Sequence, residues 1–342
     1  MSREDDLNNF TDPIGLIRRM LTSGNKAAYA ALFREGLRLG AIPFDFGLKY
    51  FEERRLTKEV TVQHPQVLIV GAPRSGTTLV YQALAAFLNV SCPTNLTAMF
   101  PKSSLTAARL HSRLPTSQRP DFSNFYGQTT RLNGPNDAFH LWNRWLGSDR
   151  YLLADSISEA TARDMNQFLT AWTVAFDKPF LNKNNRNAFA IELLAQHLPN
   201  ASFVVVRRNP MYVAQSLIIA RQKVQGDKTK GWGLQSTSSG ASDDPLSYVD
   251  DVCRQIVSID TEMNRQLGTV AAERIVEITY EGFCEDPTYS IRQVASKIAG
   301  LERNPRLSLD DLPAFEVSSK LTISTEEQSR IQAFFAAVPC PA

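Results

Sequence analysis

The stretch Val67 to Leu88, VLIVGAPRSGTTLVYQALAAFL, decides how the rest of the chain is read. Val67, Leu68, Ile69 and Val70 form a short, mostly β-branched apolar run closed by Gly71, the pattern of a strand buried on both faces. From Thr77 to Leu88 the apolar residues fall at helical spacing. A strand therefore enters a tight turn, and the turn opens a helix. Gly71 and Gly76 permit backbone angles closed to other residues, and Ser75, Gly76, Thr77 and Thr78 would present consecutive N–H groups at the positive end of the helix dipole. Such a turn cradles an anion, and a phosphate or sulfate ester is the expected class.

A Walker A loop would carry lysine where this chain has Thr77; that lysine reaches the β- and γ-phosphates, and the next hydroxyl residue holds magnesium. Here the basic group lies inside the loop, at Arg74, after Pro73. The expected ligand carries less charge beyond its first phosphate and needs no metal. A second stretch, Asn200 to Arg221, NASFVVVRRNPMYVAQSLIIAR, repeats the arrangement of strand, polar turn and helix. Phe203 to Val206 reads as a buried strand, Asn209 and Pro210 as helix-entry residues, and Ser216 lies about two turns into the helix. Arg208 stands at the strand's end, where a parallel sheet binds its ligands.

Together these stretches resemble the sulfotransferases that use 3′-phosphoadenosine 5′-phosphosulfate. The family's 5′-phosphosulfate loop is matched by Pro73, Arg74, Ser75, Gly76, Thr77 and Thr78, and its 3′-phosphate motif by Arg208, Asn209, Pro210 and Ser216. Phe180 to Asn185, FLNKNN, is similar to the lysine-bearing strand end of the tyrosyl-protein branch, and Ile278 to Pro287, ITYEGFCEDP, looks like the segment that places Tyr280 near the adenine. The likeness, nearer the bacterial and tyrosyl-protein branches than the cytosolic one, implies an α/β, P-loop-like three-layer fold with a central parallel sheet flanked by helices. It also implies the phosphosulfate co-substrate as donor and a hydroxyl of a carbohydrate, lipid or small molecule as acceptor.

Sulfuryl transfer passes in line between two oxygens, with negative charge growing on the leaving phosphate, so backbone N–H groups, Arg74 and Lys183 are the expected stabilisers. The acceptor hydroxyl needs a base. Leu132 to Gly147, LNGPNDAFHLWNRWLG, sets Asp137 and His140 one turn apart on a shared face if a helix starts at Asn136, with Trp142 and Trp145 either an acceptor platform or core. Asp137 and His140 acting jointly are the expected base. The tyrosyl-protein branch has a glutamate some twenty residues after the loop arginine; here Pro93, Thr94, Asn95 and Leu96 stand there, and His111 is a further candidate.

The chain has 342 residues, 43% apolar and 21% charged, ample for a large core, and a net charge of +2 that gives no global reason to bind nucleic acid. Its four cysteines form no CxxC pair, so a reducing compartment fits. The acidic start MSREDDLNNFTDP lacks the pattern of a signal peptide, and no apolar run is long enough to span a bilayer, so a cytoplasmic protein is expected. Residues 1–60 read as a helical N-terminal extension and 61–342 as the main domain. The aromatics of residues 14–57 are expected to pack on the core, with peripheral membrane contact the competing reading. Residues 222–244 read as a mobile loop, either a lid with Lys228 or Lys230 near phosphate or a solvated linker. The cytosolic branch's C-terminal RKG grip on the 3′-phosphate has no counterpart here. Two competing functions are a P-loop kinase or nucleotide hydrolase with an altered loop, and a non-catalytic nucleotide-binding scaffold.

Overall fold

A computed structural model describes residues 12–56, 64–114, 120–147, 156–234 and 243–338. The strands are β1 (Gln66–Val70), β2 (Asn124–Phe125), β3 (Gln128–Thr129), β4 (Phe180–Lys183), β5 (Ala201–Arg207) and β6 (Ile275–Thr279). β4, β1, β5 and β6 lie side by side in that order as one parallel sheet, and β2 and β3 form a small antiparallel hairpin. The register sets Ile69 opposite both Lys183 and Val204, and Arg207 opposite Thr279, so β4 and β1 end next to each other while β5 and β6 end together a little further along the same direction. The residues next in the chain, Gly71, Asn184, Arg208 and Tyr280, meet along one edge.

The helices are α1 (Pro13–Leu21), α2 (Lys26–Leu56), α3 (Thr77–Phe87), α4 (Ser104–His111), α5 (Phe139–Leu146), α6 (Glu159–Phe176), α7 (Ile191–His197), α8 (Pro210–Ala220), α9 (Ser247–Leu267), α10 (Tyr280–Glu285), α11 (Pro287–Lys297) and α12 (Thr325–Ala337). Successive side chains of β1 and β5 point to opposite faces. Leu68, Val70, Phe203 and Val205 pack with Trp142, Phe168 and Trp172 of α5 and α6, whereas Val67, Ile69, Val204 and Val206 pack with Val80 and Leu84 of α3 and Ile291 and Val294 of α11. The expected three layers are present. The tryptophans belong to the first of these clusters: Trp142 and Trp145 are buried, and their indole N–H groups donate to Asn182 and Asp164 at 2.7 Å. They fill the core and provide no acceptor platform.

The helix-entry signals hold at Asn209, whose side chain accepts from the Met211 N–H at 3.0 Å. At the C-terminus Ser324 caps α12 in a capping box with Glu327.

The aromatics of α2 do not pack on the core as expected. Arg34, Asp45 and Glu52, at helical spacing on one face, are buried instead, while Phe33 and Phe44 are 67% and 69% exposed. Arg34 donates to the carbonyls of Thr129 and Thr130. Asp45 accepts from the Lys102 N–H at 3.2 Å and the Ser103 hydroxyl at 2.7 Å. Glu52 accepts from Leu105 N–H at 3.0 Å and from both Thr106 donors at 2.7 Å. Glu52 thus satisfies orphan N–H groups in the first turn of α4 and meets the positive end of its dipole, while Asp45 holds the residues that lead into that helix. Polar pairing has displaced hydrophobic packing as the means by which α2 is seated.

Urea unfolding is expected to show Glu52→Ala destabilised by about 2 to 4 kcal/mol, because three buried donors lose their acceptor, while Phe44→Ala stays within about 0.5 kcal/mol of wild type. The reverse ranking would contradict the inverted seating of α2.

Candidate functional site

The turn between β1 and α3 has the backbone that its glycines suggest. Gly76 sits at φ +95°, and a Cβ there would lie 2.3 Å from the Tyr280 ring, so the position excludes a side chain twice over. Arg74 also takes a left-handed φ of 73°, costly for a residue with a side chain and typical of backbone held for a function. Its Nε donates to the Ser216 hydroxyl at 2.8 Å, and its guanidinium stacks 4.9 Å from the Tyr126 ring. Arg208 donates to the Arg74 carbonyl at 3.0 Å and to the Ser318 carbonyl at 2.7 Å, and lies 4.3 Å over the Tyr280 ring. The Ser318 N–H in turn reaches the Tyr280 hydroxyl at 3.5 Å. Loop, second arginine motif, Tyr280 and a C-terminal segment therefore form one assembly.

Burial holds both guanidiniums below the usual arginine range, and at Arg74 the charge of Arg208 pushes the same way. The Ser75 hydroxyl oxygen and Arg208 Nε are buried without a partner. The two like charges of Arg74 and Arg208 line one space with the turn, which fits an anion that the loop N–H groups would also bind.

At the end of β4, Lys183 Nζ pairs with Asp137 Oδ2 at 2.7 Å, and the Asn184 amide donates to the Asp137 carbonyl at 3.1 Å. Burial pushes the Asp137 carboxyl up, and the Lys183 charge opposes it. Asn185 accepts from the Thr77 hydroxyl at 3.2 Å. His140 is elsewhere. α5 starts at Phe139, after a left-handed Ala138 at φ 52°, so Asp137 precedes the helix and does not share a face with His140. The His140 imidazole lies 2.7 Å from the Ser104 hydroxyl of α4, and burial pushes its pKa down to about 4.

A cavity of about 720 Å³ opens over this edge. Arg74, Gly76, Thr77, Thr78, Asp137, Lys183, Arg208, Ser216 and Tyr280 line it; His140 does not. Its other walls are the Tyr126–Gly127 turn, Trp232 to Leu234, Ser318, and the apolar Leu16, Ile17, Met20 and Leu32 of α1 and α2. His111 lines a separate cavity with Cys92 and Lys178. Lys228 is paired with Glu327 at 2.7 Å, and neither it nor Lys230 lines the first cavity. Residues 235–242 of the expected loop, and the first eleven residues with their acidic run, lie outside the described residues. Sequence reasoning missed Tyr126 and Ser318 and quoted Asn185 only as the end of FLNKNN; of the two missed, the Tyr126-Gly127 pair, whose glycine suits a tight turn, carried a local signal.

The sheet and its glycine turn place the chain among the P-loop-like α/β proteins. Residues 65–304 match the model of the Sulfotransferase family, and the chain belongs to that family. The omega-hydroxy-beta-dihydromenaquinone-9 sulfotransferase Stf3 of Mycobacterium bovis is 24% identical over 259 residues, 70% of this chain and 64% of the relative, and the Stf3 of Mycobacterium tuberculosis aligns equally. The matched chain thus spans less than two thirds of those curated relatives. Among solved structures, sulfotransferase STF1 from Mycobacterium tuberculosis has a TM-score of 0.51 at 14% identity, covering 96% of this chain and 87% of that one. Sulfotransferase STF9 from Mycobacterium avium has 0.50 at 15% identity, covering 86% and 73%. At such identities the structural likeness shows the fold alone.

The His140 environment sets a pH dependence. The folded imidazole stays neutral down to about 4, whereas the unfolded chain takes the proton near 6.5, so the unfolded state gains the proton first as pH falls. Stability is expected to drop by on the order of 3 kcal/mol across that window, and His140→Gln to remove this part of the dependence. Equal pH slopes for the two proteins in denaturant titrations would show that His140 is not held neutral.

Proposed function

We propose that the chain moves a sulfuryl group from 3′-phosphoadenosine 5′-phosphosulfate to a hydroxyl of an acceptor with an apolar body. The observation that carries this reading is the assembly of Arg74, Ser216, Arg208, Tyr280 and Ser318 round the glycine turn. The 5′-phosphosulfate is assigned to the turn formed by Pro73, Arg74, Ser75, Gly76, Thr77 and Thr78. The 3′-phosphate is assigned to Arg208 and Ser216, with the Ser318 segment as the remaining wall, and the adenine to the side of Tyr280.

In the transfer, the acceptor oxygen bonds to sulfur as the bond from sulfur to the phosphate oxygen breaks. The hydroxyl proton goes to the Asp137 carboxylate, whose affinity for it burial raises. Lys183 and the loop N–H groups meet the charge left on the departing phosphate. His140 acts at most through α4 in this reading. The apolar wall of Leu16, Met20 and Leu32 favours a lipid-like acceptor over a carbohydrate. Relatives whose names specify an omega-hydroxylated dihydromenaquinone support that choice. Residues 1–60 serve as an extension to the transfer domain at 61–342. Cys92, Cys253 and Cys284, joined in no disulfide, support a cytoplasmic location.

Transfer of labelled sulfate to a long-chain alcohol tests the assignment. Asp137→Asn is expected to lower turnover by about a hundredfold or more, the usual share of a general base, with donor binding retained, and His140→Gln to leave it within about tenfold. No transfer by wild type to any hydroxyl acceptor, or a His140→Gln loss as large as that of Asp137→Asn, would defeat it.

A further inference from the structure

Among the described residues, most of the exposed large apolar side chains lie on α1 and α2: Ile14 and Leu21 on the first, and Phe33, Leu39, Phe44 and Phe46 among those on the second. No helix there is long and apolar enough to cross a membrane. The geometry points to the outer face of α1 and α2 as a surface that docks in the plane of an anionic lipid bilayer.

Three observations favour a bilayer over a second copy of the chain. The first is breadth. Phe33, Leu37, Phe44 and Phe51 leave α2 on one flank, and Leu39, Ile42, Phe46 and Tyr50 leave it on the other, with Arg34, Asp45 and Glu52 buried between them. Helix pairing between copies covers a narrow seam, whereas a helix lying in a lipid interface immerses a wide face.

The second is charge. Asp45 and Glu52 are buried at the start of α4, and the exposed Glu35 and Glu53 pair with Arg38 and Lys49 at 2.9 and 3.4 Å. Arg18, Lys26 and Lys102 leave the face net positive, with Lys102 Nζ 3.7 Å over the Phe46 ring, and the Arg54 guanidinium lies 5.1 Å from the Tyr50 ring. Lysine is depleted in protein interfaces, and basic side chains set among aromatics suit anionic headgroups.

The third is continuity. Ile17 is 48% exposed on the outer face and also lines the cavity above Lys183 and Asp137. The apolar wall of the cavity therefore runs out onto the docking face. A lipid alcohol could pass from bilayer to site without crossing water, a consequence that rests on the transfer reading; the docking itself does not.

Co-flotation of the full chain with vesicles tests the docking. Wild type is expected to float with phosphatidylcholine vesicles containing phosphatidylglycerol, less with phosphatidylcholine alone, and less as salt is raised. A variant carrying Phe33→Asp, Phe44→Asp and Phe51→Asp is expected to bind at least about tenfold more weakly. These exposed positions leave folding intact, checked by melting and by unchanged binding of adenosine 3′,5′-bisphosphate. Absence of wild-type flotation, flotation unaffected by the three aspartates, or a dimer in sedimentation that the variant abolishes would overturn the proposal. Flotation by a chain that binds no bisphosphate would uphold the docking and strike only the transfer reading.

Discussion

Arg208 ties the glycine turn, Tyr280 and a C-terminal segment to one another. Its two terminal nitrogens hold the carbonyls of Arg74 and Ser318, and its plane covers the Tyr280 ring, which in turn leaves no room for a side chain at position 76. A parallel sheet brings its strand ends to one edge but does not by itself shape the loops beyond them. Here the arginine converts four strand ends into a walled site, fixing the glycine turn on one side and the C-terminal segment on the other. The left-handed Arg74 is tolerated because its carbonyl and its side chain are both held, by Arg208 and Ser216 respectively.

The features that could be read from the sequence were the local ones. β1, its turn and α3 are a contiguous signal, as are β5, Asn209, Pro210 and α8, and each fixes its own geometry through backbone preference and capping. Contacts that depend on tertiary distance left little trace. Ser318 lies far along the chain from Arg208, in a segment with no motif, and Tyr126 reaches Arg74 from a two-residue turn. The tryptophans of α5 read equally as platform or core, because helical spacing alone does not say which face the sheet will cover. The structure buries them against Phe168 and the strands.

Two of the places where expectation and structure part are decided by buried charge. α2 carries aromatic residues among basic ones, and because such aromatic stripes usually pack inward the pattern suggested a helix on the core. The groups that decide its orientation are the hydroxyl and N–H donors at and just before the start of α4, which become visible only when the elements are packed. Asp137 and His140 are separated by the same kind of effect. The pairing of Asp137 with Lys183 draws it to the β4 end, and the left-handed Ala138 delays the helix to Phe139, which carries His140 towards Ser104. One helical turn in the sequence becomes two different environments, one carboxyl in the cavity beside a lysine and one imidazole against another helix.

The most direct measurement is calorimetric titration with adenosine 3′,5′-bisphosphate beside ADP, without and with magnesium. The 3′-phosphate is the group that Arg208 and Ser216 are assigned to recognise, so the account predicts metal-independent binding that prefers the bisphosphate and weakens by about 1.5 to 3 kcal/mol in Arg208→Ala. Equal affinity for the two nucleotides, or binding of ADP only when magnesium is present, would contradict it.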